Sequence, residues 1–193
     1  ASQSIGLLAV QPDIHRIMAH IHLAKGDFIS ALKQVDDFHQ LIQNMDSPPA
    51  RAMVAALHAD VALAQGDIPS ASHWTNQMTE GMDPSAVGML YGLTKARLSL
   101  AEGKRTEAGK ILAGVYDSVA QMGLVAIMID ICAWQALAAE TPKDAIHFLQ
   151  SAMKMAQQER FIRTFVDKGE PMKFLLERMK ADGGQLKDYV LTL

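Results

Sequence analysis

Ala19-His20-Ile21-His22-Leu23-Ala24-Lys25-Gly26-Asp27-Phe28-Ile29-Ser30-Ala31 decides the fold, because its pattern returns three more times along the chain. The closing alanine recurs as Ala71, Ala108 and Ala145, at spacings of 40, 37 and 37 residues. Twelve positions before each stands Ala19, Ala59, Ala96 or Ala133. Eight before stands Leu23, Leu63, Leu100 or Leu137, and seven before stands Ala24, Ala64, Ala101 or Ala138. Five before come Gly26, Gly66 and Gly103, with Glu140 breaking the series. A fixed period of this length marks stacked supersecondary units.

Each column has a physical reason. The small residue at Ala19 and its equivalents lets two helices approach closely, and the leucine one turn later lies on the same face. The glycine falls where a left-handed C-cap is needed. Asp27 and Asp67 then stand where they N-cap the following helix. In the fourth copy Thr141-Pro142 replaces Gly-Asp, as an N-cap followed by a proline suited to the first helical position. Val35, Thr75, Leu112 and Leu149 follow the second alanine by one turn. The pattern predicts helices over 12–24, 28–44, 49–65, 68–80, 86–102, 105–122, 124–139 and 142–158. Breakers separate the pairs at Asp46-Ser47-Pro48-Pro49, Gly81-Met82-Asp83-Pro84 and Gly123. The fold expected is all-α: about four tetratricopeptide-like helical hairpins in a right-handed superhelix over 1–158, followed by capping or linker helices over 159–193. The period slightly exceeds the usual one, which implies longer helices.

The bulk numbers fit this reading. Of 193 residues 49% are hydrophobic and 20% charged, enough apolar content to bury a core and too much for a disordered chain. A net charge of −3 argues against whole-surface attraction to nucleic acid or an anionic membrane. One cysteine, Cys132, precludes an intrachain disulfide and points to a reducing, cytoplasmic setting. The first residues, Ala1 to Val10, lack the basic n-region of a signal peptide, and no apolar run approaches membrane-spanning length. The apolar, uncapped stretch Ile5–Val10 leads us to expect further repeats before it, since terminal repeats normally carry a polar face.

The C-terminal part is more specific. Arg160-Phe161-Ile162-Arg163-Thr164-Phe165-Val166-Asp167-Lys168-Gly169-Glu170-Pro171-Met172-Lys173-Phe174-Leu175-Leu176 resembles a signature of the large ATP-binding LuxR-type transcriptional regulators, the MalT-like family. Phe161 takes the aromatic place, Arg163 the arginine, and Phe165-Val166-Asp167 the Phe-x-Asp. Gly169 and Pro171-Met172 take the glycine and the Pro-Met. Lys168 departs from the acidic residue common there. Ala96-Arg97-Leu98-Ser99-Leu100-Ala101-Glu102-Gly103 is similar to a second stretch of that family. The resemblance implies a tetratricopeptide-like sensor region lying between an ATPase module and a DNA-binding helix-turn-helix. It implies as partners a small-molecule inducer or a regulatory protein, besides those two modules; the alternative is a general protein-interaction scaffold that only shares the repeat. The chain carries no G-x-x-x-x-G-K-[ST] phosphate loop, so no nucleotide cofactor, ATP hydrolysis or direct nucleic-acid binding is expected of it. Read on its own residues, the signature seats Phe161, Phe165, Leu175 and Leu176 on the last repeat. Arg163 pairs with Asp167 four residues on, and Asp167 or Glu170 caps a helix with Pro171 early in it, running to about Lys180. A short helix is expected over Leu186–Leu193, after Gly183-Gly184.

A ligand in such a stack meets the first helix of each hairpin. One position after each small residue stand His20, Asp60, Arg97 and Trp134. One turn before those stand Arg16, Ala56, Leu93 and Asp130. Arg16, His20, Asp60, Arg97, Asp130 and Trp134 are therefore the candidate groove residues, with charges to hydrogen-bond a polar ligand and an indole to stack on a ring. The alternative is that the charges pair between repeats, as Asp60 with Arg97 or His20, and that Trp134 is core. Trp74, on a second helix, reads as a packing residue and Cys132 as an inert core thiol. His15, His20 and His22 do not share one face and no Cys/His cluster has zinc spacing, so no metal is expected. Neither a nucleophile nor an acid/base pair is identifiable, so no enzyme is expected.

Overall fold

The computed structural model describes residues 14–79, 88–157 and 161–181. The readings that concern Ile5–Val10, Arg160, the Gly81–Pro84 breaker and the closing helix at 186–193 fall outside these residues. Ten helices make up the described residues, and no strand occurs among them. They are α1 (14–24), α2 (Phe28–Ile42), α3 (Pro48–Gln65), α4 (Ile68–Gln77), α5 (Gly88–Ala101), α6 (Arg105–Met122), α7 (Val125–Ala138), α8 (Pro142–Ala156), α9 (Arg163–Val166) and α10 (Glu170–Ala181). The all-α hairpin pattern read from the periodicity is the pattern found.

The turns use the chemistry expected of them. Gly26, Gly66 and Gly103 have φ of 72°, 73° and 78°, the left-handed region where a side chain is strained. Asp27 then accepts a hydrogen bond from the Ser30 amide at 3.0 Å, and Asp67 one from the Ser70 amide at 3.1 Å. Hydrogen bonds from the Ser30 and Ser70 side chains, and then these amide bonds, hold the two carboxyls below the usual carboxylate range. In the fourth copy Thr141 takes the amide of Asp144 at 3.1 Å, with Pro142 opening α8. Glycine and threonine thus solve the same turn by different means. At α10 the expectation needs correction. Glu170 is the first helical residue and Asp167 lies before Gly169, so neither occupies the capping position. Gly169, with φ 69°, stands before the helix, and its carbonyl accepts from the Met172 and Lys173 amides.

Packing follows the columns. Ala19, Ala31, Ala59, Ala71, Ala96, Ala108 and Ala133 are fully buried, as are Val35, Thr75, Leu112 and Leu149. The Thr75 hydroxyl tolerates burial because it donates to the Ala71 carbonyl at 2.7 Å. Ala24, Ala64 and Ala101 are exposed and serve helix propensity, whereas Ala138 in the fourth copy is buried, so that column packs only there.

The chain divides into two compact units, Ala1–Ala101 and Glu102–Leu193. In the first, α3 packs on α2, α4 and α5, and α4 on α5. In the second, α7 packs on α6, α8 and α9, and α10 on α8 and α9. Phe165, Met172, Leu176 and Met179 join the α7–α8 core with Ile129, Leu149 and Met153, so the tail is seated on the last hairpin. Among the described residues no helix is long and apolar enough to cross a membrane.

Candidate functional site

Two polar constellations occupy first-helix positions, one in each unit. In the first, Asp60 on α3 sits among Ala59 and Val61 and is only 6% exposed. A lone carboxylate there costs about 3–5 kcal/mol unless it is paired. Arg97 on α5 supplies the partner, with Nη1 2.6 Å from Asp60 Oδ1. The two residues are 37 apart, one repeat period, so the same column in successive copies becomes one ion pair across two packed helices. The arginine side chain keeps about a quarter of its surface in solvent, so the pair is reachable at its guanidinium end.

In the second unit Asp130 and Trp134 lie one turn apart on α7, on one face. Lys168, just past α9, brings its ammonium to both. Nζ lies 2.5 Å from Asp130 Oδ1, 2.7 Å from the Thr164 carbonyl and 4.6 Å from the Trp134 ring centroid. The lysine side chain is 5% exposed although it carries a charge. Carboxylate, carbonyl and indole face together compensate its desolvation. The sequence reading singled out Asp130 and Trp134 but missed Lys168. The available signal was its departure from an acidic place in the signature, 38 residues after Asp130. Beside it, Arg163 and Asp167 pair as expected, at 2.7 Å between exposed groups.

The structure therefore brings Asp60 to Arg97, and Asp130 and Trp134 together through Lys168. Arg16 is half-buried and His20 exposed on α1. Trp74 packs over Ala52, Ala55, Ala56 and Met78, and stacks on the buried His58 at 4.1 Å between ring centroids. Burial holds His58 below the usual imidazole range, so the stack is built from neutral rings. Cys132 is buried, and its thiol is pushed up to about 11 by burial, which leaves it unreactive near neutral pH. Among the described residues no group of His, Cys, Asp and Glu is arranged to hold a metal ion. The chemistry on offer is recognition: a paired carboxylate and guanidinium in the first unit, and a cation held against a carboxylate and an indole in the second.

Residues 13–182 match the family model described as the MalT-like TPR region. No curated protein and no solved structure matches the chain.

Proposed function

The chain belongs to the MalT-like TPR family, and from that premise we propose that it is the effector-sensing segment of a LuxR-type transcriptional activator. It works in the cytoplasm and takes a small inducer or a regulatory protein. The observation that carries this reading is the span of the match, which takes in all the described hairpins and the Arg163–Met172 tail. The sensing positions are Arg16, His20, Asp60, Arg97, Asp130 and Trp134. Two of them form the Asp60–Arg97 pair, and two more hold the tail through Lys168. A ligand that draws on Asp130 or Trp134 competes with Lys168, so occupancy on α7 is felt at α9 and α10. The segment itself carries no catalytic step and no direct contact with DNA; the ATPase and helix-turn-helix modules of the regulator do that work.

Transcript profiling of cells that express the full-length gene product tests the reading. Arg97→Lys keeps a charge beside Asp60 but removes the guanidinium fork, and Trp134→Phe keeps a ring under Lys168. Both variants should fold and accumulate normally while effector-dependent transcripts fall. Normal induction in both, at equal protein level, removes these residues from sensing. A full-length product without a phosphate loop or a helix-turn-helix removes the regulator reading altogether.

A further inference from the structure

The first unit contains a cleft that the sensing positions do not touch. It lies between the end of α2, the start of α3 and the end of α4, and holds about 250 Å³. That is below the ~300–1,000 Å³ of drug-sized ligand sites, so it suits a small metabolite. Its floor is apolar, formed by Ala52, Ala55 and their neighbours, and its wall is Trp74. Its polar groups among the described residues are His39, Arg51 and Gln77, and none of the described lining residues is acidic. On a chain of net charge −3 this is a local excess of positive and donor groups.

The walls are held in place. Trp74 is fixed from behind by His58, its ring plane 11° from the indole, and His39 meets His58 edge-on at 6.5 Å. Arg51 is held only loosely. Its Nη1 is 3.7 Å from Asp46 Oδ1, and the Asp46 carboxylate is fully in solvent. An incoming carboxylate therefore competes with a weak, hydrated contact for a guanidinium that binds such groups bidentately. Arg51 also stands in the first turn of α3, where the helix dipole favours an anion.

We infer that this cleft binds a small aromatic carboxylate, its ring against Trp74 and the alanine floor and its carboxylate on Arg51, with His39 and Gln77 as further donors. The site is separate from Arg97 and Trp134 and stands or falls independently of the sensing role proposed above.

The probe is 3-phenylpropionate, with 3-phenylpropanamide as the uncharged isostere. The chain has two tryptophans, so Trp134→Phe leaves Trp74 as the sole indole reporter. In that background the carboxylate should quench or shift Trp74 emission saturably below about 10 mM, and the amide should bind about tenfold more weakly. Arg51 is exposed, so Arg51→Gln should keep the helical circular dichroism and the urea midpoint while weakening the carboxylate by about tenfold. Arg97→Lys should leave the titration unchanged. Three results overturn the inference: no saturation, equal affinity for carboxylate and amide, or wild-type affinity in Arg51→Gln. Loss of binding in Arg97→Lys with retention in Arg51→Gln overturns it too, by placing the ligand among the sensing residues.

Discussion

Removing the carboxylate at Asp130 should destabilise the second unit more than removing the lysine it serves. In the native state the Lys168 ammonium has a carboxylate at 2.5 Å, a carbonyl at 2.7 Å and the Trp134 ring at 4.6 Å, on a side chain 5% exposed. Taking one partner from a fully buried pair costs about 3–5 kcal/mol, because the other charge is stranded. Asp130 is 38% exposed, so water reaches its side of the pair, and the cation–π contact and the carbonyl remain in Asp130→Ala. We therefore expect a loss of about 2 kcal/mol for that variant. Lys168→Met strands nothing. It leaves Asp130 half in solvent and puts an apolar chain against Trp134, at a cost of about 0.5–1 kcal/mol. The double variant should then resemble Lys168→Met alone, which makes the coupling about 2 kcal/mol. Urea unfolding followed by circular dichroism and by tryptophan emission measures all four corners. A larger loss in Lys168→Met than in Asp130→Ala, or additivity within about 0.3 kcal/mol, would refute the buried-cation account.

The remaining expectations are narrower. Arg97→Ala should destabilise the first unit by about 3 kcal/mol in thermal or urea melts, since it leaves Asp60 buried and unpaired, whereas Asp60→Asn with Arg97→Ala should recover part of that loss. Burial lowers the folded-state pKa of His58 from 6.5, so protons bind the unfolded chain more readily. The stability that His58 contributes is present above pH 6.5 and lost as pH falls through its folded pKa; melts at pH 7 and pH 5 should show this, and His58→Phe should flatten the difference. Cys132 should resist a thiol reagent at pH 8 in the native protein and react on denaturation, and rapid native labelling would contradict its burial. Gly66→Ala should cost about 1–2 kcal/mol through backbone strain alone, because φ is 73° and no atom lies within 4 Å of the added carbon.

The hairpins were legible in the sequence because the repeat writes the same contact several times. Ala19, Ala59, Ala96 and Ala133 recur at one register, and a small residue at a recurrent helix crossing reads as one without knowing the partner. The turns were legible because Gly26, Gly66 and Thr141 answer local demands on φ and on unpaired amides. The Asp60–Arg97 pair was foreseeable for the same reason: the period itself places that column on neighbouring helices. Lys168 was not, because its partners lie on α7, and only the docking of α9 brings a tail residue onto a first-helix face. The His58–Trp74 stack was equally hidden, since the two rings stand on α3 and α4 at positions outside the repeat columns. At α10 the acidic residues near Pro171 suggested a cap, yet Gly169 at positive φ turns the chain there instead.

A thermal-shift screen of small metabolites against the isolated chain tests the sensing claim most directly. A ligand at 100 times its dissociation constant stabilises the protein by roughly 2.7 kcal/mol, well above the resolution of a melt. We expect at least one compound to raise the midpoint, and the shift to disappear in Arg97→Lys and in Trp134→Phe. A screen in which every hit keeps its shift in both variants, apart from carboxylates whose shift Arg51→Gln removes, would contradict the account, as would a broad library in which nothing binds.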